Sequence, residues 1–129
     1  MKLEVEAHIK RAEGSLRSAI FLSEKGMYED AASRAYYSVF HAAKAVLASV
    51  EEHSKTHEGV VRIFGERFVK TKVFPAEMGK TLVLAKGLRE KADYEPTIVV
   101  QKEHVEDIIG KTTDFLNVIK EHLREIGRA

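Results

Sequence analysis

Arg34 and His41 have side chains suited to chemistry on a phosphate. An arginine stays protonated and offers a planar fork of donors that matches phosphate oxygens. A histidine, with an ordinary pKa of ~6.5, moves protons near neutrality. The two stand seven positions apart, so a helix turning ~100° per residue places them within ~20° of one line. Ser38, Ala45 and Ala48 fall near that line, and Tyr37 sits beside it. An ordinary solvated face carries more Glu and Lys. This one is small and nearly uncharged, which predicts a second packing surface through which two copies of the chain meet. Two plainer readings stay open. Arg34 pairs with Asp30 one turn earlier, or His41 is a satisfied buried histidine.

The elements that must carry these residues read as five helices. The first spans about Leu3 to Glu24, with Val5, Ile9, Ala12, Leu16 and Ala19 spaced by threes and fours, and Gly26 ends it. The second, about Tyr28 to Val50, is rich in alanine and holds Arg34 and His41. Its core arc contains Ala35, Tyr36, Val39, Ala43, Val46 and Leu47. Thr56 is suited to cap a third helix, from His57 to about Val69. Pro75 suits the first turn of a fourth, reaching about Ala92. The fifth, about Gln101 to Ile126, repeats Val105, Ile108, Thr112, Leu116, Ile119 and Leu123. Ile98 to Val100 is a lone extended candidate, too little for a sheet. The expectation is one all-α domain over residues 1–129, an antiparallel helical bundle.

Composition narrows the function classes. The 129 residues are 44% hydrophobic and 32% charged, a globular balance. With no cysteine there are no disulfides, thiolate metal sites or cysteine nucleophiles. No apolar run is long enough for a membrane span, and the charged start Met1 to Glu6 lacks an apolar signal core. The cytoplasm is the expected compartment. A net charge of +1 means that nucleic acid would have to be met by a local basic patch.

Other motifs fall short. Gly79-Lys80-Thr81 and Gly110-Lys111-Thr112 resemble the tail of a P-loop, but Phe74 and Val105 stand where its first glycine belongs. No histidine has a glutamate three residues before it, as a di-metal carboxylate bundle requires. His53 and His57 flank a helix break and make a weak metal pair. His8, His104 and His122 read as helix-surface residues. No metal and no cofactor is expected.

The segment Ala31-Ala32-Ser33-Arg34-Ala35-Tyr36-Tyr37-Ser38-Val39-Phe40-His41-Ala42-Ala43 resembles the signature helix of HEPN-domain proteins. Ser54 to Val60 and Arg89 to Glu95 are similar to further blocks of the small prokaryotic members, in the same order along nearly the whole chain. The resemblance implies a helical bundle like the helical domain of kanamycin nucleotidyltransferase. It also implies dimerisation. Many such proteins are metal-independent RNases whose arginine and histidine face a cleft between protomers. Small members are often paired with a minimal nucleotidyltransferase in toxin–antitoxin systems. Others are non-catalytic modules that bind a nucleotide or a nucleotidyltransferase partner. Active members often carry a polar residue directly after the arginine, where this chain has Ala35.

On that resemblance the substrate is RNA, whose 2′-hydroxyl is its own nucleophile. His41 would transfer the proton and Arg34 would stabilise charge developing on the phosphoryl group. Tyr37 and Ser38 would hold phosphate or base by hydrogen bonding.

Overall fold

The computed structural model describes residues 2–128. Among them the chain forms five α-helices and no strand: α1 (Lys2–Glu24), α2 (Tyr28–Ala48), α3 (His57–Phe64), α4 (Ala76–Tyr94) and α5 (Lys102–Arg128). The all-α helical bundle expected from periodicity is what the chain adopts.

Local chemistry sets the boundaries. Gly26 takes φ +76, a left-handed conformation that costs a glycine little. Met27 N–H then reaches back to the Leu22 carbonyl at 2.9 Å, closing α1. The Thr56 hydroxyl accepts from Gly59 N–H at 2.9 Å and caps α3. The predicted third helix differs in its second half. After Phe64 the backbone continues as a π-helical turn, Gly65–Val69, with Lys70 N–H bonded to the Gly65 carbonyl. The wider turn keeps buried Phe68 against Phe64 and Phe74, in a cluster where the Phe64 ring centroid lies within 5.8 Å of those of Phe68, Phe74 and Phe115. Pro75 stands at the N-cap of α4, with extended backbone.

α2 is the central helix, packed against α1, α3, α4 and α5, with its most extensive contact on α1. Its predicted core residues Ala35, Tyr36, Val39, Ala43, Val46 and Leu47 are buried. Its second, small-residue face is buried as well, and this corrects the expectation for the dimer surface. Ser38, Ala45 and Ala48 pack inside the protomer. The Ser38 hydroxyl donates to the Ala12 carbonyl at 2.7 Å. Small side chains on α2, opposite Ala12 and Ala19 of α1, let two backbones of the same chain approach closely. The face is small because α1 covers it, so Ala45 is not available to a second copy.

No helix among the described residues is long and apolar enough to cross a membrane.

Candidate functional site

Arg34, Tyr37 and His41 emerge along the edge of α2 that α1 leaves uncovered. With Ala7, Lys10, Arg11, Gly14, Ser15 and Ser18 of α1 they line an open groove of ≈ 790 Å³. Three of these residues are cations and none is a carboxylate. The groove thus concentrates positive charge that the net charge of +1 conceals. Arg34 is exposed and has no ion-pair partner among the described residues, so the pairing with Asp30 does not form. Its guanidinium lies 5.9 Å from the Tyr37 ring centroid. Ser38, proposed from sequence as a binding residue, is fully buried with its hydroxyl committed to Ala12, and does not line the groove. Ala35 is also fully buried, so in this chain the position after Arg34 points into the core rather than at the groove.

His41 is held by a residue read from sequence as mere surface. His8, on α1, places its Nδ1 3.0 Å from the Nδ1 of His41, with the rings stacked at 5.3 Å. His8 lies three residues after Val5 and four before Ala12, which puts it on the α2-facing stripe. That spacing was the available signal. On its far side, His8 Nε2 lies 4.0 Å from Glu4 Oε1. The Glu4 carboxylate is anchored in turn by His53 Nε2 at 3.0 and 3.2 Å. Burial, then the neighbouring His8, Arg11 and Lys44, push His41 from the ordinary 6.5 down to about 4. Burial and Lys44 lower His8 too, with Glu4 opposing. A hydrogen bond between the two Nδ1 atoms needs one protonated and one bare nitrogen, and at neutral pH His41 is uncharged. His41 therefore faces the groove as an uncharged ring with room to take up a proton.

A second cluster backs the groove. Tyr37 Oη accepts a hydrogen bond from Arg89 Nη2 at 3.2 Å. The Arg89 guanidinium also lies 5.5 Å from the Tyr36 ring and 5.4 Å from the Tyr37 ring. Its Nε is 2.9 Å from Asp93 Oδ2, near enough for an ion pair but off the line of a hydrogen bond. Asp93 accepts from the Ser33 hydroxyl at 2.9 Å. On the other side the Tyr36 hydroxyl meets His57 Nδ1, and the His57 ring stacks on Phe40 at 4.6 Å. Burial raises Tyr36 above the ordinary tyrosine range, and burial followed by Arg89 lowers His57. His57 is thus engaged with aromatic rings. No group of three or more metal-ligating side chains exists among the described residues. Gly79 and Gly110 lie inside helices α4 and α5, away from any phosphate-cradling loop.

The residues of three separate sequence blocks, on α2, at the start of α3 and at the end of α4, thus converge on Tyr36 and Tyr37. The profile of the HEPN domain matches residues 5–123. The chain belongs to the HEPN family. Among HEPN relatives, two proteins of Methanocaldococcus jannaschii cover most of its length. The one named "Putative toxin MJ0142" is 38% identical over 122 residues, spanning 95% of this chain and 83% of that protein. The one named "Putative toxin MJ0605" is 39% identical over 126 residues, spanning 95% and 91%. A UPF0332 protein of Archaeoglobus fulgidus is 38% identical over 117 residues, spanning 91% and 93%. The HEPN fold itself is matched by the crystal structure of ST0689, an archaeal HEPN homologue. That match has a TM-score of 0.70 at 20% identity, covering 92% of this chain and 96% of that one.

The segment that resembles the HEPN signature helix, residues 31–43, lies within α2. It brings Arg34, Tyr37 and His41 to one groove and sends Ser38 to the core. Sequence reasoning missed His8, whose spacing was a signal, and also Lys10 and Arg11 of α1, whose spacing does not name α2 as their neighbour.

Proposed function

We propose that this HEPN chain is a metal-independent endoribonuclease of toxin type, acting as a homodimer through its Arg34–His41 groove. The observation that carries the reading is the convergence of Arg34, Tyr37 and His41 with Lys10 and Arg11 in a groove lined by no carboxylate. Such a surface suits a phosphodiester backbone. His41, neutral at physiological pH, accepts the proton of the ribose 2′-hydroxyl. The 2′-oxygen attacks the adjacent phosphorus and the bond to the 5′-oxygen breaks. Arg34 stabilises the charge gathered on the non-bridging oxygens. The proton taken up by His41 is returned to the departing 5′-oxygen, leaving a 2′,3′-cyclic phosphate and a 5′-hydroxyl. Tyr37 offers an aromatic face on which an unstacked base can lie. The toxin names of two relatives support the same reading.

Homodimerisation belongs to the proposal. The rim that α1 gives the groove, Ala7, Gly14, Ser15 and Ser18, has small side chains that admit close approach by a second copy. Light scattering should give a dimer, and Ser18→Arg should yield a helical monomer.

The deciding experiment incubates purified protein with RNA in chelator, beside Arg34→Ala and His41→Ala. Cleavage by wild type alone supports the proposal. No cleavage, with a nucleotide or a minimal nucleotidyltransferase bound through the same groove, would replace it with the non-catalytic partner-module reading.

A further inference from the structure

Two imidazoles joined through their Nδ1 atoms share one proton, so one must donate and the other accept. The distance of 3.0 Å between His8 and His41 fixes the pairing but not its direction. The surroundings decide that. Among the described residues the only carboxylate near either ring is Glu4, 4.0 Å from His8 Nε2 and held in place by His53. A carboxylate favours a protonated nitrogen facing it. His8 then carries its proton on Nε2 and presents a bare Nδ1. His41 must donate to that nitrogen, so its own proton sits on Nδ1 and its Nε2 keeps the lone pair.

We infer that His8, polarised by Glu4, is the positioning residue that locks His41 in its Nδ1–H tautomer and leaves Nε2 as the base of the groove. The inference rests on the proposed ribonuclease reading for its consequence, though not for its geometry. The arrangement extends by one imidazole the way a carboxylate orients a catalytic histidine. When Nε2 takes the 2′-hydroxyl proton, His41 becomes a cation that still donates from Nδ1 to His8. The cation on His41 is stabilised by that hydrogen bond, with the Glu4 carboxylate behind His8, and no second proton has to move. The charged and titratable groups facing His41 are His8 and Arg11 from α1 and Lys44 from α2. Both cations oppose protonation, so His8 and the carboxylate behind it are what tempers that opposition. A purely structural His8 would fill space equally well in either tautomer.

The test reads the protons directly. Long-range nitrogen–proton correlation spectra of the intact protein near neutral pH should show His41 protonated at Nδ1 and His8 at Nε2. His8→Phe keeps a stacked ring but removes the acceptor, and should release His41 toward the Nε2–H form common to free imidazole. Cleavage by that variant should fall ~10–100-fold in kcat with KM little changed, the scale on which orienting partners of histidine act. Glu4→Leu should shift His8 toward its Nδ1–H tautomer and, through the shared hydrogen bond, release His41 toward Nε2–H. His41 found protonated at Nε2 in wild type would overturn the inference. So would a stoichiometric metal ion shared by the two Nδ1 atoms. Because the wild-type spectrum needs neither RNA cleavage nor a variant that folds, loss of the ribonuclease reading and loss of this one are separately visible.

Discussion

Arg89 donates from Nη2 to the hydroxyl of Tyr37 at 3.2 Å, joining residues 52 positions apart in sequence. The contact links α4 to the wall of the groove, because Tyr37 also lines it beside Arg34 and His41. It explains why an arginine far from the signature helix belongs to the same site. Arg89→Met keeps the aliphatic stem but removes the donor and the cation that faces two rings. Stability should fall by about 1–3 kcal/mol, and KM for RNA should rise as Tyr37 loses its fixed orientation. Thermal unfolding and steady-state kinetics check both, and an unchanged KM would place Tyr37 outside the binding surface.

Arg34 and His41 should act as one unit. His41→Ala should cost ~10²–10⁴-fold in cleavage rate. Arg34→Lys should be severe as well, because a point charge does not replace a bidentate fork. The double variant should be little worse than the worse single one. Arg34 is exposed and without an ion-pair partner among the described residues, so its variants should unfold with wild-type cooperativity. Undiminished cleavage by His41→Ala would remove that residue from the mechanism.

Acid should weaken both fold and activity through His41. Its folded pKa of about 4 lies below the ordinary 6.5 of an unfolded histidine. The stability it contributes is complete above pH ~6.5 and is lost as pH falls toward 4. His41→Phe should therefore flatten that part of the stability curve. As the base must be unprotonated, kcat/KM should hold steady through neutrality and decline only as the pH approaches 4. A profile falling already near 6.5 would mean that the groove does not depress the ring.

Ala45→Arg should unfold the protomer, not separate a dimer. Ala45 is fully buried within the chain, and a charge forced into that site has no partner. The cost should reach several kcal/mol. Circular dichroism would show lost helicity at every concentration. A helical, folded Ala45→Arg monomer would instead return this face to the surface.

Chelation should leave melting temperature and cleavage unchanged. The chain has no cysteine, and the described residues hold no cluster of three or more ligating side chains. Melting curves and cleavage assays with and without chelator test this, and elemental analysis showing one bound transition metal per chain would contradict it.

The sequence by itself determined the helices and the register of α2. Apolar spacing fixes which way a helix must face, whatever its neighbour, so Val39 and Val46 could be assigned to the core and Arg34 and His41 to a common line from the chain alone. Caps are equally local, which is why Gly26 and Thr56 marked real boundaries. Periodicity cannot say which helix covers which face. Small residues such as Ser38 and Ala45 signal only that some backbone comes close, and tertiary packing decided that it is α1 of the same protomer. The same docking brought His8 onto His41, set Lys10 and Arg11 opposite Arg34, and carried Arg89 to Tyr37. Each of these relationships spans helices distant in sequence. Their electrostatics, including the depressed His41, exist only once burial has removed the water that would otherwise screen them.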